Sequence, residues 1–272
     1  MPSRSRPNLF QIVYSDDTVR RANPQHPVLD NTNSDKPDWY EYWPIRNFLK
    51  SQAPTADEYY GFFSPRLTEK TGLSLDDITE FVRQGERAHD AYIFSPQPDM
   101  NAFFLNTFEQ AETFDPGFLS GSEKVLRKVG LHVDLKSIVM DSRRTVYSNY
   151  MVARGAFWND WLAICERIFA LAETGEGEEA QFLRTRSTYP KGVQMKVFVV
   201  ERIASLMLSL DRRWITRSGN LFKYAWSASR LNEHPDKAIL SDALKIAYNE
   251  NGHPEYMDMY AILRKQFQDG KG

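Results

Sequence analysis

The sequence contains one cysteine, Cys165, in 272 residues. A single thiol excludes a disulfide framework and a thiolate metal site, and it indicates a reducing compartment, where Cys165 serves as a small core residue. No apolar run reaches about 18 residues, so we predict no transmembrane helix. Lys and Arg number 34 against 36 Asp and Glu, which leaves no basic field for nucleic acid. We therefore predict a cytoplasmic protein without a nucleic-acid partner, for which contact with the inner face of a membrane stays open.

Several catalytic motifs are also missing. There is no glycine-rich phosphate loop, which argues against a simple dinucleotide-binding dehydrogenase or a P-loop enzyme. The five histidines are scattered and no two lie four residues apart, so a zinc centre built from them is not expected. No Gly-x-Ser-x-Gly elbow occurs, and residues 1–8 lack the apolar stretch of a secretory signal.

Short aromatic and β-branched runs alternate with segments of helical periodicity. The runs predict strands at Leu9–Tyr14, Tyr59–Phe63 and Ala91–Phe94, with a strand-like segment at Val146–Ala153. Helical spacing predicts helices at 38–49, from Ser74 onward, 101–114, 116–129, 157–172, 197–210, 237–248 and 256–267. This pattern predicts an α/β domain over residues 1–217, with a helical C-terminal extension over residues 218–272 packed on it.

Polar residues follow the predicted strands. Ligands of open α/β sheets bind beyond the carboxyl ends of the strands, so these residues are candidate binding groups. Two of the strands end in the same Phe-Ser-Pro step, which predicts that both finish at one edge of the sheet. The candidates are Ser15, Asp17, Ser64, Arg66 and Ser95, and for Asp16-Asp17 a turn or a helix cap is the commoner role.

Two clusters of charge need an explanation. Glu201 and Arg202 are the only charges in the apolar run from Val197 to Leu210, and a buried charge requires a partner or a chemical role. The pair either bridges within the core or belongs to a site. Asp141 lies beside Arg143 and Arg144, and this grouping suits either a solvated turn or the binding of a pyrophosphate leaving group, with or without a metal.

One set of segments forms a recognisable pattern along the chain. The segments are Tyr60–Arg66, Ala91–Pro96, Thr145–Ala153, Phe157, Trp161-Leu162 and Val199–Ile203. In order over roughly residues 9 to 215, they resemble bacterial glycosyltransferases that are encoded with capsule and lipopolysaccharide synthesis genes. Those proteins show a strand with Asn between aromatic residues, a helix with Phe and Trp, and a helix with Glu before a basic residue or Leu.

The resemblance implies a GT-A-like fold, in which helices flank a mixed central sheet and the nucleotide lies at the first strands. It implies transfer of a sugar from a nucleotide-diphosphosugar to a polysaccharide or lipid-linked acceptor during surface glycan assembly. Asn149 would orient sugar hydroxyls, Glu201 would accept the acceptor proton with Asp141 as a second catalytic carboxylate, and Arg66 or Arg143 would stabilise the diphosphate. Arg202 would either keep Glu201 ionised or contact the substrate.

One departure from the family concerns the metal. A clear Asp-x-Asp motif is absent, and Asp99 and Asp141 are only single candidates for holding Mg²⁺ or Mn²⁺ with the donor. The rival interpretation is a noncatalytic protein-interaction module that keeps a degenerate transferase fold. In that case the helical tail would dock a partner through Tyr256, Met259, Tyr260 and Leu263.

Overall fold

A six-stranded mixed sheet forms the centre of the computed structural model, which describes residues 6–85, 88–189 and 192–268. The strand order is β2-β1-β3-β5-β4-β6, and only β5 runs antiparallel to its neighbours. The predicted α/β class is confirmed. The strands are β1 (Asn8–Val13), β2 (Val28–Asp30), β3 (Tyr59–Phe63), β4 (Ala91–Ile93), β5 (Met151–Arg154) and β6 (Thr216–Ser218).

Helices cover both faces of this sheet. They are α1 (Asp16–Arg21), α2 (Tyr42–Gln52), α3 (Leu67–Thr71), α4 (Leu75–Gln84), α5 (Pro98–Ala102), α6 (Thr107–Phe114), α7 (Phe118–Lys128), α8 (Gly155–Thr174), α9 (Glu178–Arg184), α10 (Met195–Leu210), α11 (Pro235–Asn251) and α12 (Glu255–Gln268). Short 3-10 helices span Pro37–Trp39, Leu221–Lys223 and Arg230–Glu233. Among the described residues, no helix has both the length and the apolar character that a membrane span requires.

Alternation along β3 divides the core into two layers. Tyr60 and Phe62 belong to the larger cluster, which includes side chains of α2, α7, α8 and α10. Tyr59 and Phe63 point to the other face and pack with side chains of α3 and α4. Because successive side chains of a strand alternate between faces, one aromatic strand serves both layers. Cys165 is fully buried in the larger cluster, as predicted.

Most elements with strong local signals lie where the sequence predicts them. Ser74 caps α4 in a capping box with Asp77, and Pro44 lies in the first turn of α2. The single helix predicted over 101–114 is wrong, because the chain breaks between α5 and α6. Asn106 caps α6 there, and its amide also donates to the carbonyls of Leu135 and Ile138 at 2.7 and 2.8 Å.

The helical extension consists of α11 and α12, which pack on each other. Helix α11 also contacts α5, which in turn contacts the 3-10 turn at Arg230–Glu233. The boundary predicted between residues 217 and 218 falls inside β6, which pairs with β4 in the central sheet. The strand-like segment predicted over Val146–Ala153 forms a strand only from Met151, and the residues before it make a turn that lies at the site described next.

Candidate functional site

A cavity of about 710 Å³ opens at one edge of the sheet. Tyr14 follows β1, residues 31–34 follow β2, and Ser64 and Arg66 follow β3, and all of them line the cavity. Strand β1 is followed in sequence by β2 on one side and later by β3 on the other, so the strand order reverses here. Open α/β sheets bind ligands at such a switch point. Ser64 and Arg66, which the strand-end reasoning selected, both line this cavity.

Helix α10 contributes Glu201 to the cavity wall. The side chain is 26% exposed, and its Oε1 accepts the backbone N–H of Ser148 at 2.8 Å. Its Oε2 lies 4.0 Å from Arg202 Nη1, at the limit of an ion pair. A carboxylate has about four acceptor positions, so Glu201 keeps capacity for a ligand after these contacts.

The turn before β5 has an unusual backbone. Ser148 and Asn149 have φ values of 60° and 55°, in the left-handed region that favours glycine, and both line the cavity. Lys70 Nζ donates to Ser148 Oγ at 2.8 Å, which helps to hold the turn. Tyr40, another cavity residue, also has a positive φ, of 49°. Strained backbone of this kind concentrates at functional sites, where the surroundings stabilise it.

Glu41 is a second carboxylate in the same cavity, and the sequence analysis did not select it. It precedes α2 but makes no capping hydrogen bond to that helix. Burial raises its pKa to about 7, with a further increase from the negative charge of Glu201. The positive charge of Lys70 and a hydrogen bond with Ser64 act in the opposite direction. The sequence does contain a signal for Glu41, which is an acidic residue among the aromatic residues of Trp39–Trp43. Glu201 was selected on a similar signal, a charge within an apolar run.

Two cations complete the polar lining. Arg66 pairs with Glu69 at 2.6 Å on an exposed surface, and this pair raises the arginine pKa. Lys70 was not predicted; it lies one helical turn further on, 5.5 Å from the centre of the Tyr150 ring. Two positive side chains beside a sheet switch point can bind a phosphate or diphosphate group.

Tyrosines surround the opening of the cavity, and the inner wall is apolar. Tyr14, Tyr40 and Tyr189 are 48%, 42% and 56% exposed. Such rings present flat apolar faces with a hydrogen-bonding hydroxyl, which suits the faces of sugars or bases. The apolar lining residues include Ile12, Pro37, Trp39, Val193, Val197, Phe198 and Val200.

Comparison of the chain with protein-family models, with curated proteins and with solved structures finds no match. The chemistry of the cavity is therefore interpreted from its own residues. It combines a carboxylate pair, two cations, several hydroxyl and amide groups and exposed aromatic rings. That set can bind a polar, partly anionic ligand and can move a proton at a carboxylate.

Three predicted binding residues near the strand ends have structural partners instead. Ser15 caps α1 in a reciprocal box with Thr18, and Asp17 pairs with Arg21 at 2.9 Å on the surface. Ser95 is buried, and its hydroxyl accepts the Tyr147 N–H at 2.9 Å. None of Ser15, Asp17 and Ser95 lines the cavity. Asp16 and Asp17 lie in the first turn of α1 directly after its cap, so the cap is Ser15 and neither aspartate.

Asp141 and Arg143 lie outside the cavity as well. Asp141 is fully buried, and it accepts hydrogen bonds from Arg143 Nη2 at 2.8 Å and Asn249 Nδ2 at 2.9 Å. Burial alone would raise its pKa, but these donors outweigh burial and hold the pKa below its usual value. Arg143 also pairs with Glu250 of α11 at 2.5 Å. Both side chains therefore fasten α11 to the turn at residues 141–144.

Arg202 points away from the cavity into the protein. Its guanidinium donates to the Thr107 and Phe198 carbonyls at 2.8 and 2.9 Å and to Gln110 Oε1 at 3.0 Å. Burial lowers its pKa, and the nearby charge of Glu201 acts in the opposite direction. Arg202 thus joins α10 to α6, and the sequence prediction that it contacts a substrate has no counterpart among the cavity residues.

A metal site formed by the protein alone does not fit the described residues. None of them forms a group of three or more His, Cys, Asp or Glu side chains that could hold an ion. Asp99, one of the two single candidates, is buried and accepts hydrogen bonds from the Ser227 backbone N–H at 3.0 Å and from the Ser227 hydroxyl. We therefore derive no step through a metal, and Arg66 and Lys70 are the groups available to an anionic leaving group.

Proposed function

We propose that this protein is a GT-A-like glycosyltransferase. It moves a sugar from a nucleotide-diphosphosugar to a hydroxyl of a glycan or lipid-linked acceptor, in the assembly of a bacterial surface polysaccharide such as capsule or lipopolysaccharide. The observation that carries this proposal is one cavity at the carboxyl ends of β1, β2 and β3 that holds two carboxylates beside two cations.

The donor would lie across the first strands. Residues 31–34 supply amide and hydroxyl groups after β2, and Arg66 and Lys70 lie on the β3 side of β1. A nucleotide-diphosphosugar needs hydrogen-bonding groups for its nucleoside and positive charge for its diphosphate. As the bond from the anomeric carbon to the diphosphate breaks, these cations stabilise the charge that develops on the leaving group.

The sugar and the acceptor would lie between the carboxylates and the tyrosines of the opening. Asn149 can hydrogen-bond sugar hydroxyls, as the resemblance implies, and the exposed rings of Tyr14, Tyr40 and Tyr189 can stack on sugar faces. A carboxylate of the cavity, Glu201 or its neighbour Glu41, accepts the proton of the attacking hydroxyl.

Binding of nucleotide sugars tests this proposal directly. Thermal unfolding and isothermal titration calorimetry would be recorded with UDP-, GDP- and CMP-sugars. We expect one nucleotide class to raise the Tm, since a ligand at about 100 times its Kd stabilises the folded state by about 2.7 kcal/mol. Arg66→Gln and Lys70→Gln should each weaken that affinity by about tenfold, because a hydrogen bond to a charged group is lost.

Lys124→Gln is the matched control, because Lys124 forms an exposed pair with Glu178 and does not line the cavity. It should leave the affinity unchanged. Release of the nucleoside diphosphate in the presence of acceptor glycans then measures transfer. Indifference of the Tm to all three nucleotide classes would contradict the proposal.

One observation favours the rival function, a noncatalytic interaction module. Ile239 and Leu240 on α11 and Met259 and Ile262 on α12 are each about half exposed. Exposed apolar side chains of this size can form part of a protein interface. Of the tail residues predicted to dock a partner, Met259 is in this group, whereas Tyr260 is buried. The nucleotide experiment separates the two functions, because the module predicts no response to any nucleotide sugar.

A further inference from the structure

We propose that Glu41, and not Glu201, takes the proton from the acceptor hydroxyl, and that Glu201 is the carboxylate held in place beside it. This inference rests on the proposed function and assigns roles within that same cavity. The resemblance to the glycosyltransferases implied that Glu201 accepts this proton. The contacts of Glu41 and Glu201 indicate a different assignment of the proton acceptor.

Glu201 is held by the protein. Its Oε1 accepts the Ser148 N–H at 2.8 Å, and Ser148 is itself held by Lys70 through its hydroxyl. Arg202 lies 4.0 Å from Oε2 on the side away from the cavity. One oxygen of Glu201 is therefore engaged by the backbone of the turn before β5, which fixes the position of this carboxylate.

Glu41 has a different set of partners. Its side chain makes no capping bond to α2, and it lines the cavity together with Ser64. The Ser64 hydroxyl is also 2.7 Å from the Tyr150 hydroxyl. No backbone N–H fixes this carboxylate among the described hydrogen bonds, so its oxygens are available to a hydroxyl of the acceptor.

The surrounding charges adjust the basicity of Glu41. Burial is the largest influence, the anionic Glu201 of α10 adds to it, and Lys70 of α3 opposes it, with a net pKa of about 7. A general base works best when its pKa lies near the working pH. The other titratable or charged groups on the cavity wall are Tyr14, Tyr40, Tyr42, Arg66 and Tyr189. Of these, Tyr42 donates a hydrogen bond from its hydroxyl to Glu166 Oε1 at 2.9 Å.

The step balances without another reactant. The acceptor oxygen forms its bond to the anomeric carbon while its proton moves to a Glu41 oxygen. The bond from the anomeric carbon to the diphosphate oxygen breaks, and its electron pair leaves with the nucleoside diphosphate. Glu41 then returns the proton to water.

Carboxyl titration of the ligand-free protein tests the assignment before any activity is measured. With ¹³C-labelled glutamate side chains, NMR should show one carboxyl that titrates near neutral pH. That signal should vanish in Glu41→Gln. It should move down by about one unit or more in Glu201→Gln, which keeps an oxygen for the Ser148 N–H, and move up in Lys70→Gln.

Glu80→Gln is the matched control, because Glu80 pairs with Arg83 on the exposed face of α4 and does not line the cavity. It should leave the neutral titration unchanged. Survival of that signal in Glu41→Gln, or its absence from the wild-type protein, would overturn the inference.

The pH dependence of transfer then tests the catalytic role. We expect kcat to fall by about 10²- to 10⁴-fold in Glu41→Gln. In Glu201→Gln, transfer should persist with its acidic limb shifted to lower pH. Transfer that continues in Glu41→Gln would overturn the role of Glu41 and would leave the proposed function in place. Absence of transfer in a wild-type protein with the expected titration would instead overturn the proposed function, and the role of Glu41 with it.

Discussion

Two buried polar regions of this molecule differ in how their charges are partnered. Beneath α11, Lys245 donates to the carbonyls of Asn101 and Phe104 at 2.6 and 2.8 Å, and Asp242 accepts the Ser142 N–H at 2.8 Å. In the cavity, Glu41 and Glu201 carry like charges and face open space. The first region has opposite charges that are enclosed by donors and acceptors, whereas the second keeps its acceptors available.

This difference distinguishes charged side chains that stabilise the fold from charged side chains that can take part in chemistry. Burial lowers the pKa of Lys245 to about 8 and raises that of Asp242, so burial perturbs both regions. A perturbed pKa alone therefore does not identify a site. What distinguishes Glu41 is that its carboxylate borders a cavity and has a like charge as its neighbour, an arrangement that a fold has little structural reason to keep.

The largest expected effect is on the enclosed region. Lys245→Met should lower the free energy of unfolding by about 3–5 kcal/mol, because it leaves Asp242 without its nearby cation and two carbonyls without a donor. Urea denaturation at neutral pH measures this change. Lys128→Met, at an exposed position of α7, should stay within about 0.5 kcal/mol. A loss below about 1 kcal/mol would show that the network is not fastening α11.

The open region should respond in the opposite direction. Glu41→Gln should raise the free energy of unfolding by about 1–3 kcal/mol near pH 8, because the folded state holds Glu41 at a pKa of about 7 against an ordinary value of 4.5. The folded state binds the proton more tightly, so wild-type stability falls as the pH rises from about 4.5 to about 7. The glutamine is always neutral, and its advantage should disappear towards about pH 4.5.

Urea denaturation of both proteins across this range measures the difference. An advantage that is equal at every pH would point to packing instead of ionisation. A loss of stability at the alkaline end would contradict the electrostatic account of the cavity.

Backbone strain should produce a smaller effect. Ser148 has a φ of 60°, which an L-residue adopts at a cost of about 1–2 kcal/mol and glycine adopts freely. Ser148→Ala and Ser148→Gly both remove the hydroxyl that Lys70 contacts, so their difference isolates the strain. We expect the glycine variant to be more stable by about 1 kcal/mol in thermal or urea unfolding. Equal stability of the two variants would show that the turn relaxes to another conformation.

Local signals predicted much of the fold. Periodicity predicted α4, α8, α10 and most strands, because the spacing of apolar residues within each element shows which face it buries. The break between α5 and α6 escaped because Asn106 owes its capping role partly to carbonyls at residues 135 and 138, which are distant in sequence. The turn before β5 depends on tertiary contacts in the same way, because Ser148 contacts Glu201 and Lys70.

The site was predicted in part, for a related reason. The strand-end rule selected Ser64 and Arg66, and an isolated charge in an apolar run selected Glu201, all of which line the cavity. Glu41 and Lys70 were not predicted, because they reach the cavity only through the packing of α2 and α3 against the sheet. The same rule also selected polar groups at strand ends that the fold uses for caps and internal hydrogen bonds.

Asp17 offers the smallest and most direct test of that distinction. It lies in the first turn of α1, shortly after β1, where the sequence predicted a substrate contact. Its carboxylate pairs with Arg21 on the surface at 2.9 Å and does not line the cavity. An exposed helical pair contributes about 0.3–0.5 kcal/mol, so Asp17→Asn should change the free energy of unfolding by no more than about that amount. The affinity for a nucleotide sugar should stay as in the wild type, whereas Arg66→Gln should weaken it. A loss of affinity in Asp17→Asn would mean that the ligand extends beyond the cavity to α1, and that proximity to a strand end identifies binding residues better than the cavity lining does.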